Sequence, residues 1–582
     1  MNRNVESHFS QLPAAEIQRS TFDRSASYKT SFNSGELIPF YVEEVLPGDT
    51  FDVQTAKVVR SQTLLTPLMD NMYLDTYYFF VPNRLVWEHW REFCGENTQG
   101  PWAPSVSYRM PTIASPAGGF QVGTIADYMG LPVGVEWSAD ADLAPTALPF
   151  RCYALICNEF FRDENLSDPL LVPTGDANSQ GVNTGNYVTD CALGGKPFRP
   201  AKYHDYFTSA LPAPQKASEP VTIPVSGVAT GAGLPQAFPV VAAPYTINLS
   251  DFSGQMVPMA FYQAGGSTNT LNITSYGAVD SRRFLSLNLS NSVPSSMTNE
   301  TLAPANLWAV TGNVNQDINV DGLGIDVNSL RLAFAYQRYF ESLARNGSRY
   351  TELLLGLFGV RSPDARLQRP EYLGGNRVPV NVSEVTNTAQ AEQDFLGDLG
   401  AKSNTTDVNH DFVKSFTEYG YIIGLMCVRY DHSYHQGFQR FWMRKSFMDF
   451  YNPKFAHLGE VPVWQAEIFT DGKNLKPAEG EQQPPIFGYQ EIWADYRYKP
   501  NMVTGEMRPG VPNSIANWNL ADLYSQAPTL SDGWIRESVD NVDRVLAVTS
   551  KVSHQFWADL YIRNKCTRPM PMYSIPGLID HF

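Results

Sequence analysis

Polar and apolar residues alternate along much of this chain with the period of two that half-buried strands require. Residues 38–45 (IPFYVEEV) and 50–59 (TFDVQTAKVV) are two such runs around Leu46-Pro47-Gly48-Asp49, a turn signal that joins them into a hairpin. Residues 69–82 (MDNMYLDTYYFFVP) are rich in Tyr and Phe, which favour a pleated surface, and Pro82 ends the strand. The same signal returns at 419–434, 461–469, 487–500 and 552–566. A helical period governs three other segments. In 83–97, Leu85, Val86, His89, Trp90 and Phe93 share a face and Gly95 ends the run. In 149–163, Pro149 precedes a stripe of Tyr153, Ile156, Cys157, Phe160 and Phe161. In 329–345, Ser329 is placed to cap, Leu332, Tyr336, Tyr339 and Leu343 are expected to face the core, and Asn346-Gly347 stops the helix. Few helices among many aromatic strands predict an all-β sandwich or barrel with helices set into long loops.

Three stretches depart from this pattern. Residues 1–35 are polar, of mixed charge and aperiodic, and are expected to form an extended N-terminal arm. Between Val221 and Leu330 the chain carries six acids and two bases, with no Lys, His or Cys, among abundant Ser, Thr, Asn, Gly and Pro. Such composition permits disorder, but Phe261, Tyr262, Tyr276, Phe284 and Trp308 call for packing. The stretch therefore reads as a β-rich insertion, 221–326, projecting from a body formed by 36–220 and 327–582. The closing segment Thr567–Phe582 holds Pro569, Pro571 and Pro576 and cannot form a regular element alone. Its apolar residues Met570, Met572, Tyr573, Ile575, Leu578, Ile579 and Phe582 are too many to leave in water. An extended C-terminal arm lying across a neighbouring copy is expected.

Composition turns the picture from a free protein to a covered one. The 582 residues include 43 Lys+Arg and 59 Asp+Glu, a formal charge of −16, which argues against a stand-alone nucleic-acid wrapper. Only 18% of residues are charged, against 43% hydrophobic and 13% aromatic. About a quarter is usual for soluble domains, so partner subunits are the simplest cover for the missing charge. Arg outnumbers Lys about two to one, as suits buried interfaces. Six cysteines without paired spacing read as free thiols of a reducing compartment. No signal-peptide apolar region opens the chain. Its longest apolar run, YIIGLMCV (421–428), is far short of the roughly 20 residues of a membrane helix, so neither secretion nor membrane insertion is expected.

Signatures of catalysis are missing. Gly194-Gly195-Lys196 is followed by Pro197 and makes no phosphate loop; no nucleophile elbow and no H-E-x-x-H occurs. Asp431-His432-Ser433-Tyr434-His435 is the one metal-like cluster, but on a strand its two histidines point to opposite faces. No metal, cofactor or catalytic residue is expected. The segment HQGFQRFWMRKSFMDFY (435–451) interleaves Arg440, Arg444 and Lys445 with Phe441, Trp442 and Phe447. That is the make-up of a surface that stacks unpaired bases and holds phosphates. Arg563, Lys565 and Arg568 allow the same reading; in both places an aromatic core with a cationic rim competes with it.

Several long motifs carry a resemblance. LPGDTFDV (46–53), TPLMDNMYLDTYYFFVPNRLVWEHWREFCGEN (66–97) and LPFRCYALICNEFFRDENL (148–166) resemble the major capsid proteins of microviruses, small single-stranded-DNA bacteriophages. LRLAFAYQRYFESLARNGSRYTELLLGLFG (330–359) and IPGLIDHF (575–582) resemble the gokushovirus branch in particular. GYQEIWADYRYKPNMVTGEMRP (488–509) and HQFWADLYIRNKCTRPMPMYSIPG (554–577) extend the likeness to nearly the whole chain apart from about 221–326. The resemblance implies an eight-stranded viral jelly roll, with sixty copies forming a T=1 icosahedral shell around a circular single-stranded DNA genome. It implies assembly in the host bacterial cytoplasm into a virion, with the insertion as a protrusion at each threefold axis. The implied partners are a small basic internal DNA-binding protein, a minor (pilot) capsid protein and a host cell-surface receptor. The family brings no catalytic residues.

On that reading Phe261, Tyr262, Tyr276 and Phe284 pack the protrusion between three chains, and its Lys-free, Ser/Thr/Asn-rich surface suits attachment to a glycan receptor. Arg440, Trp442, Arg444, Lys445, Arg563, Lys565 and Arg568 are the candidates that face DNA. The alternative is a monomeric or trimeric receptor- or carbohydrate-binding β-sandwich. A glycosidase would need two carboxylates roughly 5–10 Å apart, for which no motif speaks.

Overall fold

The computed structural model describes residues 18–97, 107–216 and 327–573, the last without 348, 389–396 and 398, together with seven short strands between 229 and 318. It divides into two units, Met1–Ala217 with Tyr339–Phe582, and Ser218–Arg338.

In the first unit β1 (Ser20–Asp23) and β2 (Ala26–Phe32) are two halves of one edge strand. They are followed by β3 (Ile38–Val45), β4 (Thr50–Ser61), β5 (Met72–Pro82), β6 (Glu371–Pro379), β7 (Thr405–Ser415), β8 (Gly420–Tyr430) and β9 (Phe556–Arg568). One sheet runs β1/β2, β9, β4, β7 and the other β6, β5, β8, β3, every pair antiparallel. Counted this way there are eight strands in two sheets of four, with the chain crossing between sheets at every step except β5 to β6. This is the jelly roll. Helices and short strand pairs fill the long loops after β5 and β8. The 46–49 turn forms as its residues require. The Asp49 N–H donates to the Leu46 carbonyl at 3.0 Å, the Leu46 N–H to Asp49 Oδ2 at 2.9 Å, and Gly48 sits at φ +91°, where a side chain would be strained.

The unbroken apolar run of β8 has a physical reason, because both its faces are covered. Ile422, Met426, Val428 and Tyr430 enter the core between the sheets, while Ile423, Leu425 and Cys427 point the other way into a second core with α1 (Leu148–Ile156). Pro149 stands in the first turn of α1, where its missing N–H costs nothing. The Tyr153 hydroxyl of α1 donates to the Leu37 carbonyl at 2.6 Å, tying the helix to the β3 end of the sheet. The first sheet is different. Along β9, buried Phe556, Ala558, Leu560 and Ile562 alternate with exposed Trp557, Asp559, Tyr561, Arg563 and Lys565, so its outer face meets solvent.

Four expectations need correction. In 83–97 only Asn83–Leu85 (a 3-10 turn) and Trp90–Phe93 are helical, because the Glu88 N–H donates to the Thr174 carbonyl at 3.0 Å instead of to its own helix, and Trp87 is fully buried. Next, 461–469 and 487–500 are strand for only half their length. Glu460–Trp464 pairs with Ile486–Glu491, and the remainders turn into Gln465–Ile468 and Ala494–Arg497 helices. In the third case α2 (Val327–Asn346) forms, but Ser329 lies inside it, and Leu332, Tyr336 and Tyr339 are 55%, 51% and 44% exposed rather than facing a core. Finally, residues 20–32 of the expected arm are sheet strands. After α2, Gly347 at φ +88° precedes α3 (Tyr350–Phe358).

The described residues of the second unit between 229 and 318 are strands. Met259–Gln263 pairs with Leu307–Thr311, which also pairs with Ala237–Pro239; Ser275–Val279 pairs with Arg282–Ser286, and Ala229–Thr230 with Asp317–Ile318. Phe261 is opposite Ala309 and Tyr262 opposite Trp308, whereas Tyr276 is opposite Leu285 and Phe284 opposite Gly277. The four aromatic candidates therefore belong to two separate strand pairs.

Candidate functional site

The 435–451 segment contains two 3-10 turns, Arg440–Met443 and Phe447–Asp449, and such tight turns splay successive side chains apart. Arg440 donates from Nη1 to the Pro462 carbonyl at 2.9 Å and lies 3.5 Å from the carboxylate of Glu467, a side chain 2% exposed. Arg444 pairs with Asp495 and lies 4.2 Å over the Tyr496 ring. Arg568 donates to Asp49 Oδ2 at 3.0 Å and the Glu44 carbonyl at 2.7 Å, and rests over Phe51 at 5.7 Å. These three guanidiniums are thus already answered by acids of the same chain, which sets them apart from the other candidates. Glu467 and Asp49 are buried carboxylates that need a positive partner, and that demand comes from residues distant in sequence.

The other four candidates are exposed. Trp442 is 71% exposed with its ring 4.8 Å from Phe441, and it shares with Lys445 and Phe438 a groove of about 750 Å³. Arg563 and Lys565 stand on the outer face of β9 in line with Trp557 and Tyr561, and Arg563 reaches Gln54 Oε1 at 3.4 Å. Cations and open aromatic faces thus occur together on two surfaces. At the carboxy end Met570, Met572 and Tyr573 are 38%, 57% and 76% exposed; Ile575, Leu578, Ile579 and Phe582 lie outside the described residues. The side chains of Phe261, Tyr262, Tyr276 and Phe284 do as well.

Further exposed apolar groups were legible only in part. Met448, Phe450 and Tyr451 continue the Trp442 surface, and α3 exposes Tyr350, Leu355 and Phe358 with no buried residue. The α3 sequence YTELLLGLF is apolar almost around its circumference, which signals a helix that something must cover. The histidine cluster turns out to be a charge network. His432 is buried, with Nδ1 2.8 Å from Asp522 and Nε2 3.2 Å from Glu537, while Lys202 Nζ is 3.3 Å from Asp522. Burial opposes the imidazolium charge, but the two carboxylates outweigh it and hold His432 up to about 9; Asp522 is held far below the usual carboxylate range, mainly against burial by His432 and Lys202. Among the described residues no three or more His, Cys, Asp or Glu are grouped to hold a metal ion.

A jelly roll that leaves one sheet face, a helix and a chain end uncovered is the subunit of a larger coat, and the class these features define is the viral capsid protein. The chain belongs to the capsid protein (F protein) family, whose model matches residues 10–578. It is 39% identical over 578 residues to the capsid protein VP1 of Spiroplasma virus 4, covering 98% of this chain and 97% of that one. It is 38% identical to the capsid protein VP1 of Chlamydia phage 1, covering 99% and 98%, and 34% identical to that of Bdellovibrio phage phiMH2K, covering 100% and 99%. It is a structural protein of the virion that assembles into a multimeric capsid.

Proposed function

We propose that sixty copies of this chain close into a T=1 icosahedral shell around circular single-stranded DNA, assembled in the host bacterial cytoplasm. The observation that carries this reading is a complete jelly roll with its first sheet's outer face, α3 and the Met570–Tyr573 end all open to a partner. Individual contacts between copies can be weak, because a subunit leaving a closed shell breaks several at once. Sixty chains of formal charge −16 repel rather than attract a genome. A small basic internal protein supplies the missing cations, and direct contacts come from the exposed sets Trp442 with Lys445 and Arg563 with Lys565. A minor capsid protein joins the particle, and the Ser218–Arg338 unit forms the threefold protrusion that meets the host receptor. The test is native mass measurement of the expressed chain. Sixty copies of 64.9 kDa predict a species of about 3.9 MDa. A stable monomer or trimer at all concentrations would instead favour a receptor-binding β-sandwich.

A further inference from the structure

The first unit contains a cavity of about 840 Å³ that shares only Leu355 with the exposed apolar surfaces above. It lies within the range of roughly 300–1,000 Å³ typical of small-ligand sites. Six arginines line it: Arg162, Arg349, Arg361, Arg369, Arg377 and Arg429. In a chain of net charge −16 this is a concentrated positive site. Part of that charge is not cancelled: Arg349 and Arg369 face Glu352 and Asp364 at 3.5 Å each, but several guanidiniums are also fixed by neutral carbonyls. Arg162 donates to the Ser167 carbonyl at 3.0 Å, Arg349 to those of Asn158 and Arg162 at 3.0 and 2.8 Å, and Arg369 to Thr351 Oγ1 at 3.0 Å and the Glu159 carbonyl at 3.3 Å. Asp75 answers Arg377 and Arg429 together. The lining acids are Asp163, Glu352 and Asp364. Burial and the neighbouring Glu164 raise Glu352 to about 7, which weakens its opposition to an anion near neutrality.

Two further features narrow the ligand. The Nε groups of Arg162 and Arg429 are buried without a hydrogen-bond acceptor, although buried donors are almost always satisfied, while Arg369 Nε lies 3.5 Å from Asp364 Oδ1. The cations are also interleaved with rings. Arg369 lies 4.2 Å over Phe160, and Arg377 and Arg429 lie 4.2 and 4.3 Å over Tyr203. At the rim Tyr372 is 47% exposed and packs 5.5 Å from Phe79. A multivalent anion satisfies the arginines, and a planar ring attached to it satisfies the aromatic wall. We infer that this cavity binds a nucleotide, its phosphate on the arginines and its base against Tyr372. An acidic peptide offers the charge without the ring. The choice of a nucleotide leans on the capsid reading, whereas the cavity's preference for anions does not.

The test uses the purified full chain and a fluorescein-labelled hexathymidylate, followed by anisotropy. Arg361 is exposed and makes no hydrogen bond or ion pair among the described residues, so Arg361→Glu leaves the fold intact. It is expected to weaken binding at least tenfold, and Tyr372→Leu about fivefold through the lost stacking of one base. With two phosphates engaged, raising salt from 50 to 200 mM weakens binding about sevenfold. Unlabelled thymidine monophosphate competing as well as the hexamer assigns the site to a free nucleotide, and a clear advantage for the hexamer assigns it to the DNA strand; both uphold nucleotide chemistry. Unchanged binding in both variants overturns the inference, as does equal competition by hexaglutamate or inorganic phosphate. A chain that forms shells yet fails this assay overturns the cavity assignment and leaves the capsid reading standing.

Discussion

Deprotonating His432 removes the positive charge that Asp522 and Glu537 share, so stability falls as pH rises through the folded-state value. That value is about 9 against an ordinary value of 6.5. At 1.36 kcal/mol per pKa unit the charged ring stabilises the fold by about 3 kcal/mol. Because the folded value is the higher one, the whole contribution is present below about pH 6.5 and is gone above about pH 9.5. Burial holds Tyr430 and Tyr524 far above their usual value, so neither titrates in this window. The assay is urea unfolding of the dissociated chain, followed by tryptophan fluorescence at pH 6.5, 8 and 9.5. The native chain is expected to lose about 3 kcal/mol across the series. His432→Gln keeps a hydrogen-bonding side chain without the charge. It should start at least about 3 kcal/mol lower and change little with pH, because buried Glu537 then lacks its cation and Asp522 keeps only Lys202. Parallel profiles for the two chains, or native stability that rises with pH, would refute the reasoning.

Deleting residues 570–582 removes the exposed Met570–Tyr573 end; sedimentation is expected to show folded monomers or small oligomers in place of shells, and normal shells would rule out an inter-subunit arm. Replacing 235–310 by a short Gly/Ser linker should leave shells that fail to adsorb to host cells, while unchanged adsorption would remove the receptor role from the insertion. Arg440→Ala leaves Glu467 buried without its cation and should lower subunit stability on the order of 3 kcal/mol in urea titration, whereas Lys445→Ala should stay within about 0.5 kcal/mol.

The parts of the fold legible in the sequence are those decided by nearest neighbours. The alternation in β4, the double-sided apolar run of β8 and the turn at Gly48 each follow from which faces are covered or which φ is needed, and local sequence encodes both. The helix expected over 83–97 was not legible because its interruption depends on Thr174, far along the chain. The acid partners of Arg440, Arg444 and Arg568 were not legible either, because Glu467, Asp495 and Asp49 lie elsewhere in sequence. The arginine-lined cavity gathers residues from 162 to 429, a grouping no local pattern displays. One partial signal existed, the run of Arg349, Arg361, Arg366, Arg369 and Arg377 without a lysine among them.

The position of β9 sets a timetable for synthesis. It is the strand that β1, β2 and β4 all pair with, yet it lies about 500 residues after β2. A ribosome adding 5–20 residues per second takes roughly 25–100 s to deliver it. Throughout that interval the N-terminal strands have no neighbour and β4 presents an open edge, the kind that recruits strands from other chains. The first sheet therefore closes only after β9 has left the ribosome. Crowded polysomes, where many such edges wait side by side, are where this coat protein is most exposed to pairing with the wrong copy of itself.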